Sequence, residues 1–164
     1  MSDRGPGAGL LERLDAVAHK LRRHAASPPA AGLTSPDPPT GERWDWGQVW
    51  AHLGEFLPFW MEQVALICRA GNGEPVAFGR VKSDPARVEA IEADRHRPPP
   101  ELMQRLESQL EDVRGLVASL SPKDWRRRGV HQTLGVMDVH TVFQEFLVGH
   151  LEQHAEQLDE LARS

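Results

Sequence analysis

The feature of this sequence that most constrains its fold is a helical spacing of apolar residues that recurs in four long segments. Within each segment an apolar side chain returns every three or four positions, which places these side chains on one face of an α-helix. The predicted helices span residues 10–26, 46–70, about 101–120 and about 138–162. Because the connections are too long for a minimal up-down bundle, we expect an all-α four-helix bundle with long crossover connections.

Prolines and glycines interrupt the first half of the chain. Residues 28–43 contain five prolines, which cannot continue a helix, so this stretch is predicted to be a linker between the first and second helices. In the second helix, Pro58 lacks the amide hydrogen that would bond the carbonyl of Gly54, and we expect a kink there. The sequence Gly71-Asn72-Gly73 is expected to end this helix.

The other two connections have weaker patterns. Loose alternation over residues 76–81 allows a short extended segment. The pair Asp84-Pro85 has the chemistry of a helix N-terminus, with a capping carboxylate followed by proline, and predicts a short helix that ends near Arg95. Residues 123–137 show no sustained periodicity and are predicted to form an ordered loop.

Composition narrows the class of protein. The 164 residues suit one domain over 1–164, and 40% hydrophobic with 26% charged residues is ordinary for a globular protein. A net charge of -5 favours neither nucleic acid nor an anionic membrane as a partner. The one basic cluster, Arg126–Arg128, is interpreted as a solvated loop, with an anion clamp as the alternative.

Targeting and redox signals are absent from the sequence. The single cysteine, Cys68, cannot form an internal disulfide, and its apolar helical surroundings indicate a core residue. The N-terminal segment lacks a signal-peptide pattern, and no apolar run is long enough to span a membrane. We therefore expect a cytoplasmic location.

Two histidines in the last predicted helix form the most informative motif. His150 and His154 are four residues apart, so their side chains lie one turn apart on one helix face. Two imidazoles at this spacing can reach one metal ion at roughly 2.0–2.1 Å. They continue the apolar stripe of Phe143 and Phe146, and buried ring nitrogens there need partners. The alternative is a pair of histidines with ordinary hydrogen bonds.

A third histidine favours the metal interpretation. His52 lies in the second helix between two apolar residues of an inward-facing stripe, at a depth that could meet the other two. Three histidines leave a coordination position open, as catalytic sites do. The motif is not that of a zinc protease, because position 151 is leucine, and Glu152 is expected to face away. The sequence therefore predicts a mononuclear site of His52, His150 and His154 with no obvious general base nearby.

The remaining histidines and the tryptophans are weaker candidates. His140 could flank the site but is interpreted as a boundary residue, and His131 could approach the mouth of the bundle. Three others are expected to be solvated, namely His19, His24 and His96. The tryptophans in and before the second helix are interpreted as core residues, although Trp50 could line a pocket.

Together, three segments resemble the DinB-like superfamily, which includes YfiT-type metal-dependent hydrolase-like proteins and mycothiol-dependent maleylpyruvate isomerases. The segments are Trp50–Leu53, Gly129–Met137 and Gly149–Leu158, and the resemblance covers most of residues 43–162. It implies a four-helix bundle with a long crossover, often a homodimer, that acts on small molecules. It further implies one divalent ion, commonly zinc or nickel, bound by the positions that match His52, His150 and His154, and in some members a low-molecular-weight thiol as cosubstrate.

These observations allow three hypotheses for the function. The first is a metal-dependent thiol transferase or isomerase acting on small electrophiles, in which the metal lowers the pKa of a bound thiol or water. The second is a non-catalytic, metal-containing stress or binding protein, which the lack of a nearby acid or base favours. The third is a bundle without metal, in which the histidines are polar core residues.

Overall fold

The structure is a computed structural model that describes residues 5–70 and 74–163. Helices account for most of the described residues, and three short strands form a small sheet. In chain order the elements are α1 (Pro6–Ala26), α2 (Trp46–Leu53), α3 (Phe56–Arg69), β1 (Val76–Phe78), α4 (Pro85–Asp94), α5 (Pro99–Ser119), α6 (Pro122–Trp125), β2 (Arg128–His131), β3 (Gly135–Asp138), α7 (Val139–Val142), a π-helical turn (Phe143–Val148) and α8 (Gly149–Arg163).

Four long helical units pack side by side around one apolar core. Helix α1 contacts α5 and α8, and α2 contacts the same two helices, so the four units form the corners of a bundle. Trp50, Phe56 and Phe143 are the largest side chains with no exposed surface, and burial of such rings is a major source of stability. The predicted four-helix bundle with crossover connections is confirmed. No helix in the described ranges has the length and apolar character that crossing a bilayer requires.

The second predicted helix is broken in two. Helix α2 ends at Leu53 and α3 begins at Phe56, so the prediction of one kinked helix was wrong in degree. The cause is the one the sequence indicated: Pro58 cannot donate to the carbonyl of Gly54. The side chain of Gln109 on α5 supplies the missing hydrogen bond, its Nε2 donating to that carbonyl at 2.9 Å in the interior. The predicted helix end at residues 71–73 lies outside the described residues.

The two long connections are more ordered than the sequence suggested. Strand β1 and helix α4 match the predicted extended segment and short helix, and the Asp84 carboxylate accepts from the backbone amide of Ala86 as an N-cap. The prediction of a loop over residues 123–137 was wrong. A short helix is followed there by an antiparallel hairpin, in which β2 also pairs with β1 in parallel. Each strand has three or four residues, too few for their alternation to be recognised.

The last helical unit contains a π-helical turn directly before the histidine pair. The amide of Gly149 bonds the carbonyl of Gln144, five residues back, so one extra residue is accommodated. Phe146 is partly buried against the core, whereas Leu147 and Leu151, which the predicted stripe omitted, are fully buried. The last helical unit begins where the sequence predicted, and there the Asp138 carboxylate accepts from the amide of Thr141 as an N-cap of α7.

Candidate metal centre

The three predicted histidines lie together at the junction of α2 and α8. His52 is in the last turn of α2, and His150 and His154 occupy successive turns at the start of α8. One ring nitrogen from each histidine lies within 4.8 Å of the other two. His52 and His154 are buried, while His150 is half-buried. Long-range packing of α2 on α8 therefore gathers three imidazoles that are far apart in the sequence.

Two of the rings are oriented by a side chain three residues further along the same segment. His52 Nδ1 lies 2.8 Å from the Glu55 carboxylate oxygen Oε1, and His154 Nδ1 lies 2.6 Å from the Gln157 amide oxygen. Both oxygens accept hydrogen bonds, so we assign the ring hydrogen to Nδ1 in each case. Nε2 of both rings then carries a lone pair, as a metal ligand requires.

One of the three Nε2 atoms lacks a hydrogen-bond partner among the described residues, and the other two contact only each other. His154 Nε2 is buried and has no hydrogen-bond partner among the described residues. His52 Nε2 faces His150 Nε2 at 2.8 Å, so at most one hydrogen lies between two basic nitrogens. Buried polar atoms are rarely left in this condition without a reason. A divalent ion would satisfy all three nitrogens at once, so the donor set fits the ion that the sequence predicted.

Burial keeps the three imidazoles neutral. It is the largest cause of the lowered pKa of each ring, and the pKa values of His52 and His150 lie well below the ordinary value. The pKa of His154 falls to about 4, with the Gln157 hydrogen bond opposing the effect of burial. At neutral pH the rings therefore offer lone pairs and not positive charges, which suits cation binding.

A buried ion pair holds the Glu55 carboxylate in place. Arg80 Nη2 donates to Glu55 Oε1 at 2.6 Å, and the Arg80 guanidinium lies 4.3 Å from the centre of the Phe59 ring. Burial raises the pKa of Glu55, and the Arg80 hydrogen bond opposes that shift. The same carboxylate oxygen thus contacts both His52 and Arg80. Sequence reasoning missed Glu55 and Gln157, although their matching three-residue spacing from a histidine was a readable signal.

A pocket with about 450 Å³ of empty space, including its open mouth, lies over the cluster. Trp44 forms one wall and stacks on the His154 ring at 5.9 Å between ring centres. Further lining side chains come from the linker, the segment before α4, α4 itself and α8, namely Asp37, Glu42, Lys82, Arg87 and Gln157. Sequence reasoning missed Trp44 and Arg87 as site residues, since only the crossover connections bring them here. A small molecule entering this pocket would meet the histidine nitrogens.

The other candidate histidines lie elsewhere. His131 is buried against Phe146, with 5.3 Å between ring centres, and is not part of the cluster. His140 lies beside Trp125, in line with its interpretation as a boundary residue. The prediction that His24 is solvated was wrong, because it bonds Asp159 on α8 at 2.7 Å. His19 and His96 are exposed as predicted.

As predicted, Glu152 faces away from the cluster, and it pairs with Arg13 on α1. Trp50 is buried in the core and does not line the pocket. Cys68 is half-buried against the core, and burial raises the pKa of its thiol. Within Arg126–Arg128 the first and last arginines are exposed, in keeping with a solvated cluster.

Comparison with known proteins identifies the fold. The family model described as DinB superfamily matches residues 13–158. No curated protein has a matching sequence. The structure superposes on YfiT from Bacillus subtilis, described as a probable metal-dependent hydrolase with an unusual four-helix bundle topology, with a TM-score of 0.72 and 17% identity. The superposition covers 99% of this chain and 89% of that protein.

Two further solved structures share the fold. A mycothiol-dependent maleylpyruvate isomerase gives a TM-score of 0.64 at 16% identity, over 91% of this chain and 60% of the isomerase. An uncharacterized protein from Clostridium difficile 630 gives a TM-score of 0.67 at 10% identity, over 99% of this chain and 98% of that protein. The chain thus spans about 60% of the length of the isomerase and nearly the full length of the other two.

Proposed function

This chain belongs to the DinB superfamily. From that premise we propose that it is a divalent-metal-dependent thiol transferase or isomerase, which acts on small electrophiles and uses a low-molecular-weight thiol as cosubstrate. Zinc and nickel are the proposed metals. The observation that carries the proposal is the set of three neutral imidazoles beneath an open pocket, with the Nε2 of His154 left unpartnered among the described residues.

The protein's own residues prepare the site for such a reaction. Glu55 and Gln157 fix the ring orientations of His52 and His154, so that the nitrogen lone pairs point to one place. Trp44 packs against His154 and covers one side of the cluster. A divalent ion held by the three histidines would lower the pKa of a thiol or water that binds beside it.

The surroundings of the cluster favour a thiol over water as the nucleophile. Among the described residues, Glu55 is the one carboxylate in contact with a cluster histidine, and the oxygen concerned already contacts both His52 and Arg80. Among the described residues, no carboxylate that contacts a cluster histidine is therefore free to act as a general base for attack by water. A thiol, with a free pKa of about 8.5, needs less assistance near neutral pH. The structural similarity to an isomerase that depends on mycothiol adds support for a thiol cosubstrate.

Two further proposals concern assembly and location, and only the first rests on the family resemblance. We propose a homodimer, which light scattering on the purified protein would show as twice the chain mass of 18.3 kDa. We propose a cytoplasmic location, which fractionation of the native host would test. Either could fail without affecting the proposed chemistry.

The test combines metal content with turnover. Protein purified without a histidine tag should contain about one equivalent of zinc or nickel by mass spectrometry of the metal. The loaded protein should catalyse the reaction of N-acetylcysteine with monochlorobimane, forming a thioether and releasing chloride. His150→Ala should lose both metal and turnover. His140→Ala is the matched control, since His140 precedes the same helix but lies beside Trp125, and it should retain both.

Each alternative predicts a different result. A fully loaded protein that accelerates no reaction of N-acetylcysteine would contradict the proposal and favour a non-catalytic metal-binding protein. Hydrolysis of 4-nitrophenyl acetate without a thiol, lost in His150→Ala, would instead assign a hydrolase. Failure to bind zinc or nickel at all, judged by metal content and by the unfolding temperature, would leave a bundle with hydrogen-bonded histidines.

A further inference from the structure

We infer that Arg87 forms a carboxylate-binding subsite beside the histidine cluster, so that the thiol or the electrophile that enters the pocket carries a carboxylate. The inference rests on the proposed function only in assuming that a small molecule binds over the cluster. It assigns a specificity-determining role to helix α4, which lies in the connection between α3 and α5.

The first observation is that Arg87 is a buried cation without an anionic partner. The residue is 7% exposed, and among the described residues its side chain forms one hydrogen bond, from Nη1 to the backbone carbonyl of Lys82 at 2.7 Å. Among the described residues no carboxylate lies within 4.0 Å of its guanidinium. Arg80 close by is different, because its guanidinium is paired with Glu55. A buried guanidinium usually has a paired anion, since removing its charge from water is costly.

The second observation is the direction in which Arg87 lies. It lines the same pocket as His52, His150 and His154. Its guanidinium carbon is 5.4 Å from the centre of the Trp44 ring, and Trp44 in turn stacks on His154. The aromatic ring therefore holds the guanidinium beside the cluster and leaves its remaining N–H groups for other partners. Its positive charge contributes to the lowered pKa of all three histidines, in keeping with this proximity.

The acidic residues of the pocket do not neutralise Arg87. Lys82 Nζ donates to both carboxylate oxygens of Asp37, at 2.8 and 2.7 Å. Glu42 is exposed at the pocket rim and, among the described residues, forms no ion pair within 4.0 Å. Burial lowers the pKa of Arg87, and Glu55, Glu42 and Asp37 oppose that shift, each from beyond ion-pair distance. The guanidinium remains charged at any physiological pH, so the pocket keeps a positive charge for an incoming anion.

A carboxylate is the anion that this arrangement fits best. The guanidinium is planar and presents parallel N–H groups, which match the two oxygens of a carboxylate. A ligand that spans from Arg87 to the histidine cluster would place its reactive group at the nitrogens and its charge on α4. An uncharged ligand of the same shape would leave the buried cation unpaired.

The experiment compares charged and neutral probes on the zinc-loaded protein by isothermal titration calorimetry. One pair carries the charge on a thiol, namely 3-mercaptopropionate and 3-mercaptopropionamide. The other carries it on an electrophile, namely 3-benzoylacrylate and 3-benzoylacrylamide, each titrated without a thiol. In at least one pair the carboxylate should bind with an affinity about ten times that of the amide or higher. The pair that shows this difference tells whether the thiol or the electrophile carries the charge.

Substitution of Arg87 should remove this preference. Arg87→Gln should bind the carboxylate and the amide about equally, with zinc content and amide affinity unchanged. Arg87→Lys keeps the positive charge but loses the planar guanidinium, so its preference for the carboxylate over the amide should be several-fold smaller than that of the wild type. This variant provides the test if Arg87→Gln does not fold. Arg97→Gln is the matched control, since Arg97 is exposed beyond the end of α4 and should change nothing.

Two results would overturn the inference. One is equal binding of carboxylate and amide in both probe pairs, and the other is a preference that survives in Arg87→Gln. Because the amide thiol tests binding at the zinc without the charge, the two failures can be told apart. If the two thiols bind equally and the two benzoylacryl probes also bind equally, the proposed function stands and the subsite falls. If neither thiol binds the zinc-loaded protein, the proposed function fails. The subsite is then decided by whether 3-benzoylacrylate binds more tightly than 3-benzoylacrylamide.

Discussion

Two regions of this bundle bury histidine rings among aromatic side chains, and they differ in what the ring nitrogens do. The His131 ring lies against Phe146, and its Nδ1 accepts hydrogen bonds from the backbone amides of Thr133 and Leu134 at 3.2 and 3.3 Å. These bonds close the turn of the hairpin. A hydrogen bond with the backbone of Arg80 adds a second tie.

In the cluster, His52 and His154 are buried to a similar extent as His131, but the hydrogen bonding of the ring nitrogens differs. Here one Nε2 is unpartnered among the described residues, and two others face each other. Burial and aromatic neighbours therefore do not distinguish a metal ligand from a structural histidine. The state of the ring nitrogens does, and substitutions in the two regions can test that distinction.

The largest difference between the two regions should appear on truncation. His150→Ala should weaken zinc binding by roughly 1000-fold, since one of three ligands is lost. His131→Ala should leave zinc affinity unchanged but lower the free energy of unfolding by about 2 kcal/mol, because it removes buried packing and hydrogen bonds. Competition with a chelator and urea denaturation of both variants measure the two quantities. An equal loss of zinc affinity in the two variants would contradict the conclusion that only the cluster binds the metal.

Acid should destabilise the metal-free cluster. Because the folded-state pKa of His154 is about 4, below the ordinary value of 6.5, the unfolded chain binds the extra proton first. Stability is therefore complete above about pH 6.5 and is lost as the pH falls towards 4, by about 2 kcal/mol between pH 7 and pH 5 from this residue alone. Urea denaturation with EDTA present measures the loss. A His154→Gln variant should show a shallower pH dependence, and an unchanged slope would argue against the assignment.

The His131 region should depend on a glycine that the cluster does not need. Gly79 has a φ of 96°, and an added Cβ would lie 2.5 Å from His131 Cδ2. Gly79→Ala should therefore lower the free energy of unfolding by about 2 kcal/mol through backbone strain and the clash. Gly115→Ala on α5 is the control, because its Cβ would meet no atom within 4 Å. Zinc affinity that falls with stability in Gly79→Ala would show that the two regions are coupled.

The smallest expected effect concerns the residue that orients His52. Glu55→Gln keeps an oxygen that can accept from Nδ1 but removes the negative charge paired with Arg80. We expect zinc affinity to fall about tenfold, typical for loss of a partner that orients a ligand. Glu152→Gln, on α8 but paired with α1, should leave zinc affinity unchanged. No change in either variant would mean that Nδ1 hydrogen bonding alone positions the ring.

The features that the sequence predicted correctly are those set by residues close together in the chain. Helical spacing gave the four long units, Pro58 indicated the interruption near Gly54, and the spacing of His150 and His154 gave two members of the cluster. His52 joins them through packing of α2 on α8, which a shared inward-facing stripe made predictable.

The parts that could not be read depend on contacts between distant segments. Arg87 and Trp44 line the pocket because of the way the crossover connections run, and local sequence patterns do not predict that course. The strands of the small sheet are too short to show alternation, and they form because β1 and β3 pair with β2 on either side. The π-helical turn also escaped prediction, and the stripe drawn through it omitted Leu147 and Leu151.

That turn makes the position of the site sensitive to the length of the chain. Each α-helical residue advances the backbone by about 100°, so if Phe143–Val148 were wound as a regular α-helix, the extra residue would rotate α8 by about that angle relative to α7. Leu151 and His154 could then no longer both keep their present neighbours. The π-helical turn thus sets the rotation of α8, which carries His150 and His154, relative to the helical residues before it.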